Sequence, residues 1–141
     1  MNKEDKELLF RDLCNRLPYN VMCQVDFKED GKYNSKVMLL SGIFTDEAYF
    51  TTKGGSIYSN EYKPYLFPLS SMTEEQKKEY NYWKHEVPVC RYEYGDVVEE
   101  IELYDSPESF EYLIENHFDY RGLIPMGLAE DATDKNIYDY L

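Results

Sequence analysis

The stretch HFDYRGLIPMGLA, residues 117–129, places a histidine, an aspartate, a tyrosine and an arginine within five positions before the chain turns apolar. Those residue types at that spacing suit acid–base chemistry. His117 would be the general base, Asp119 would orient its ring, and Tyr120 or Arg121 would be the electrophile. Each residue also has a structural task. His117 falls at the end of a helical pattern, where the dipole favours a cation. Asp119 is placed to cap a single following turn, and Gly122 allows a sharp change of direction. Arg121 is available to nearby carboxylates, while Leu123 and Ile124 can plug a core before Pro125 stops the chain. Local spacing alone does not bring a base onto its orienting group. The segment is therefore read as a structural corner of His117, Asp119, Arg121 and Gly122, with no catalytic residue assigned.

Other chemistry-bearing residues follow the same pattern. Cys14, Cys23 and Cys90 are an odd set without close spacing, which fits buried free thiols rather than a zinc site or a disulfide framework. Nothing in the sequence sets Cys90 beside His85 or His117. Glu99, Glu100, Glu102 and Asp105 invite a divalent cation. On a strand, however, Glu100 and Glu102 share one face while Glu99 points away, as on a solvated surface. Gly54-Gly55 lies between two strand-like runs and reads as a hairpin turn, not a phosphate cradle. Ser70 and Ser71 precede a capped helix and lack the context of a nucleophile elbow. No metal or cofactor is expected. Tyr58, Tyr62, Tyr65 and Phe67 gather around prolines, where core packing competes with recognition. With the four carboxylates they form the candidate interaction surface.

Elements must position these residues. Leu9, Leu13 and Leu17 recur at four-residue spacing, with Phe10 beside them, which predicts a helix over 3–17 ended by Pro18. VMCQVDF alternates, with Val21, Cys23, Val25 and Phe27 on one face. KEDGK supplies a turn, and YNSKVMLLSGIF reads as an inner strand. AYFTTK, a glycine pair and SIYSN give a second hairpin. Pro64 and Pro68 bracket YLF, an extended segment expected at a sheet edge. Thr73 and Gln76 have capping-box spacing for a helix through about Tyr82. VPVCRYEY and VVEEIELY, joined at Gly95-Asp96, predict a third hairpin, although EEIEL also suits a helix. Ser106-Pro107 starts a helix whose buried stripe is Phe110, Leu113 and Ile114.

The chain has 141 residues and a net charge of −13. Residues 87–141 hold fourteen acidic and three basic groups, a net of −11. Such a field opposes direct nucleic-acid binding, since a phosphate backbone needs a basic patch. It suits a solvated face or a docking surface for a basic protein. No run approaches the roughly 18 apolar residues that cross a bilayer, and the charged start MNKEDKELLFRDLC is not a secretory signal. A cytoplasmic protein without membrane contact is expected; the oligomeric state is left open.

Three stretches are distinctive together: LCNRLPYNVMCQV (13–25), YKPYLFPLSSMTEEQKKEY (62–80) and HFDYRGLIPMGLA (117–129). SSMTEE after the proline-bracketed YLFP, followed by HFDYRGLI, is an unusual order. It resembles a group of small uncharacterised proteins encoded by prophages and other mobile elements of gut Bacteroidales. The resemblance spans both ends and the middle, and it implies a phage-related or host-accessory role without bringing an activity, cofactor or site residue.

The resulting expectation is a single α+β domain over 1–141. Residues 20–67 form a small twisted antiparallel sheet of about four or five strands, or an SH3-like partial barrel. An N-terminal and a C-terminal helix flank it, and 130–141 form a mobile acidic tail. The expected core is Leu9, Leu13, Val25, Val37, Leu39, Phe110, Leu113, Leu123 and Ile124. For function, a non-catalytic protein-interaction module comes first. An acidic mimic of nucleic-acid charge that inhibits a DNA-binding protein is the alternative, and a small enzyme without a recognisable motif is the third.

Overall fold

A computed structural model describes residues 2–44, 47–52 and 54–140, with side chains through residue 138. The fold is α+β, with three α-helices, a six-stranded sheet that does not close into a barrel, and a separate two-stranded sheet. The chain divides into two compact units: residues 1–71 with 117–141, and residues 72–116.

In the first unit, helix α1 (Lys3–Arg16) begins at Asn2, whose side chain accepts the Asp5 N–H at 2.8 Å. Strands β1 (Met22–Glu29), β2 (Lys32–Ile43), β3 (Ala48–Thr52), β4 (Gly55–Ser59), β5 (Glu61–Leu66) and β8 (Glu130–Asp131) follow the order β4-β3-β2-β1-β5-β8. All neighbours are antiparallel except β5 and β8, which pair in parallel, so the sheet is mixed. Val21, Cys23 and Val25 join Leu9, Leu13, Phe50, Leu66 and Leu123 in one apolar core.

The expected phase of β2 needs correction. Met38 and Leu40 are buried, whereas Val37 is 43% exposed and Leu39 is half-buried. The physical reason is register. Glu29 pairs with Lys32 around Asp30-Gly31, so Cys23 faces Met38 and the Val21 carbonyl accepts the Leu40 N–H at 2.8 Å. Paired residues share a face, which forces the odd core residues of β1 onto even partners in β2. The run VMLL has no alternation of its own to oppose that.

Strand β5 lies between β1 and β8 rather than at a bare edge. β8 covers only Tyr65 and Leu66, so Pro64, opposite Cys23, has no strand beside it on that flank. The expected tail is tied to the sheet at residues 130–132 and at Tyr138, while residues 133–136 are exposed. Ala132 is buried and donates its N–H to the Leu66 carbonyl at 2.8 Å. The Tyr138 hydroxyl donates to the Tyr65 carbonyl at 2.7 Å and accepts the Met22 N–H at 3.2 Å.

The second unit contains α2 (Glu74–Trp83), β6 (His85–Glu93), β7 (Asp96–Tyr104) and α3 (Pro107–Glu115). Thr73 and Gln76 close the capping box of α2, and Ser106 with Ser109 closes that of α3. The buried stripe of α3 is Ser109, Tyr112 and Leu113; Leu113 is buried as expected, but Phe110 and Ile114 are displaced by Ser109 and Tyr112. Phe110 is 41% exposed and Ile114 half-buried. Helix α2 decides this, because the Tyr112 ring stacks on Tyr80 at 6.3 Å and its hydroxyl donates to Glu79 at 3.0 Å. The Tyr112 ring packs while its hydroxyl keeps a carboxylate partner, a combination that phenylalanine cannot supply.

Candidate functional site

The corner at 117–124 is held from three directions. Asp119 accepts the backbone N–H of Leu123 at 2.8 Å and of Ile124 at 2.9 Å, one on each oxygen. Gly122 has φ +75°, a left-handed turn that a side chain would strain. Leu123 is fully buried and Ile124 packs partly against the core. Arg121 reaches Asp12 of α1 at 3.2 Å, and Arg16 binds Asp12 at 2.7 Å and the Phe118 carbonyl at 2.5 Å. Asp12 and Arg16 are fully buried. Sequence reading missed this pair, although Leu9, Asp12, Leu13 and Arg16 follow the i, i+3, i+4, i+7 spacing of one helix face.

His117 differs from the expectation of a part-exposed helix-end cation. It is 8% exposed, adopts φ +62°, and stacks on Tyr138 with ring centres 4.0 Å apart. Burial, with the Arg16 charge adding to it, pushes its pKa down to about 4, so the ring is neutral at physiological pH. Its Nδ1 has no hydrogen-bond partner among the described residues. Its backbone carbonyl accepts the Phe67 N–H, and the Phe67 carbonyl in turn accepts the Asp119 N–H. Both Asp119 oxygens are committed to backbone, so the aspartate does not orient the ring.

Other reactive candidates are dispersed. Cys23 is buried, and burial pushes its thiol pKa up, away from nucleophilic use. Cys14 and Cys90 are exposed, a correction to three buried thiols. Cys90 and His85, five residues apart on β6, point to opposite faces. No group of three or more metal-ligating side chains gathers among the described residues. An open groove of about 890 Å³, whose lining includes Phe27, Lys36, Met38 and Ile57, has Glu29 as its one carboxylate and neither histidine nor cysteine. No helix among the described residues is long and apolar enough to cross a membrane.

The tyrosine-rich segment does not form one exposed surface. Tyr62 lies on the core side, 5.4 Å from Phe50, and burial raises its pKa to about 12. Tyr65 is buried on the opposite face, donating to Gln24 at 2.6 Å. Phe67 is half-buried against Phe118 and Tyr138. Tyr58 alone of the four is exposed, beside Tyr49.

The β6–β7 hairpin is where polar and apolar groups meet solvent together. Tyr94 and Gly95 are its turn, both at positive φ as a primed two-residue turn requires, and Glu93 pairs with Asp96. The loop is one residue earlier than the expected Gly95-Asp96. One face carries Glu100, bound by Arg91 at 2.5 Å, and Glu102, which accepts the Tyr104 hydroxyl at 2.6 Å. That hydrogen bond raises the Tyr104 pKa. Asp105, just beyond β7, accepts from Tyr80 at 2.5 Å and Ser109 at 3.0 Å. These carboxylates do not converge. Glu99 lies on the other face, opposite Cys90.

That other face is apolar and open. Pairing sets Tyr92 across from Val97, Pro88 across from Ile101 and Glu86 across from Leu103. Ile101 is 68% exposed, Val97 58% and Leu103 43%. Two strands alone are marginal in water, and contiguous exposed apolar side chains rimmed by charge mark interaction sites. The hairpin carboxylates belong to the interaction surface expected from the sequence, and the alternation in VVEEIELY holds the signal for the apolar residues beside them. No protein-family profile matches the chain, and comparisons with curated proteins and with solved structures returned no match.

Proposed function

We propose that this chain is a non-catalytic interaction module that binds a basic protein partner through its second unit. The observation that carries this reading is the open face of the β6–β7 hairpin, where Val97, Ile101 and Leu103 stand in solvent among carboxylates. Residues 72–116 hold thirteen acidic and four basic groups, a net of −9, and so favour a cationic partner. The resemblance to mobile-element proteins is the reason to seek that partner in a bacterial cytoplasm. A mimic of nucleic-acid charge would present carboxylates without large apolar side chains between them, so the module reading has the better support.

Capture from a Bacteroidales lysate tests the proposal, with Val97→Lys plus Ile101→Lys as the comparison bait. We expect one or more basic proteins retained by the parent and lost by the double variant, with equal thermal melts for both baits. Identical retention by both would overturn the proposed surface, and recovery of catalytic turnover on any captured small molecule would overturn the non-catalytic reading.

A further inference from the structure

The second unit has strand edges that pair with no further strand among the described residues. Its sheet consists of β6 and β7 alone, so each strand has one flank without a partner strand. Natural edges are protected by proline, charged side chains, bulges or shortness. β6 contains Pro88, which has no N–H to offer a further strand. Of these devices β7 has only charge, in Asp96, Glu99, Glu100 and Glu102. It runs nine residues, DVVEEIELY, without proline, glycine or lysine, and its register with β6 is unbroken from His85↔Tyr104 to Glu93↔Asp96.

The side chains along β7 select what could lie beside it. One face presents Asp96, Val98, Glu100 and Glu102, and the other Val97, Glu99, Ile101 and Leu103. An added strand sets its alternate residues next to these two rows. Basic side chains beside Glu100 and Glu102, and apolar ones beside Ile101 and Leu103, satisfy both at once. A second copy of β7 would bring carboxylates against carboxylates, and an acidic strand would do the same. We propose that the free edge of β7 accepts, by strand addition, an extended segment of a basic partner in which Lys or Arg alternates with Val, Ile or Leu. This rests on the module reading and adds the mode of recognition and the partner's sequence pattern. Backbone hydrogen bonds supply affinity and the alternation supplies specificity.

The test is fluorescence anisotropy on the full chain with a labelled peptide as long as β7, alternating Lys and Val. Two controls accompany it: the same composition in block order, and the alternating peptide N-methylated along one backbone edge. Saturable binding is expected for the alternating peptide. N-methylation should weaken it by about tenfold, the scale of one or two lost hydrogen bonds. Glu100→Lys with Glu102→Lys should abolish binding while leaving the melt unchanged, and bound peptide should slow hydrogen exchange in β7. Equal binding of the block-order or N-methylated peptide would overturn strand addition, as would absence of binding. So would concentration-dependent dimerisation that protects β7 without peptide, because the occupant would then be a second copy. None of these outcomes alters the lysate comparison, so failure of the edge and failure of the module are separable.

Discussion

The run from Val21 to Val25 and the strand β7 both alternate apolar with polar residues, yet they end in opposite environments. Val21, Cys23 and Val25 are fully buried under α1, while Val97, Ile101 and Leu103 stay in solvent. The first unit packs a core of helix, sheet and corner. In the second, Tyr112 and Leu113 are the buried large apolar residues, and the hairpin face of Val97, Ile101 and Leu103 is left exposed. A strand pattern specifies which residues share a face, but burial requires a second layer to supply it. The first unit should therefore carry stability, and the second should be able to lose apolar side chains without cost.

Breaking the first unit at its charged pin should have the largest effect. Arg16→Ala leaves Asp12 buried beside a weaker partner and frees the Phe118 carbonyl, a loss of about 3–5 kcal/mol in urea unfolding. A parent-like midpoint would show that α1 is not held to the corner by this pair. Leu123→Ala, at a fully buried position, should cost about 2–5 kcal/mol by the same measurement.

Acid should sharpen the contrast next. The unfolded chain protonates His117 below about pH 6.5, the folded chain only below about 4. Between those values the unfolded state binds more protons, so stability falls as pH drops through the window, by up to about 3 kcal/mol. Comparing parent with His117→Gln across pH 7 to 4 isolates this limb, which the variant should lack. An unchanged pH profile would mean that the ring is solvated.

Asp119→Ala removes two backbone caps in a buried corner and should cost about 1–2 kcal/mol. The smallest effect belongs to the second unit. Ile101→Ser should change stability by less than about 0.5 kcal/mol, and β7 amides should exchange faster than those of β1. A loss near that of Leu123→Ala would show the hairpin face to be covered, and the contrast between the units would collapse.

Much of this layout was legible in residue types. The capping boxes at Thr73 and Ser106, the alternation of Val21 to Phe27, and the Asp119–Gly122 corner follow from local chemistry that needs no distant partner. The phase of β2 was legible in principle, because a two-residue Asp30-Gly31 turn fixes which residues of β1 and β2 pair. The stripe of α3 was not, since choosing Tyr112 over Phe110 depended on Tyr80 and Glu79, about thirty residues away in sequence. The burial of His117 was not legible either, for the same kind of reason. Its environment is set by Tyr138 and Arg16, which no window around residue 117 contains.

The sequence by itself determined the elements, their caps and turns, the α+β class and the acidic field of the C-terminal half, because these depend on neighbours within a few positions and on summed charge. Tertiary structure alone decided which alternating strands received a cover. It also decided that Asp12 and Arg16 are buried as a pair and that β7 keeps an open edge. Burial and edge pairing are properties of what lies across from a residue, and that is fixed only when distant segments pack.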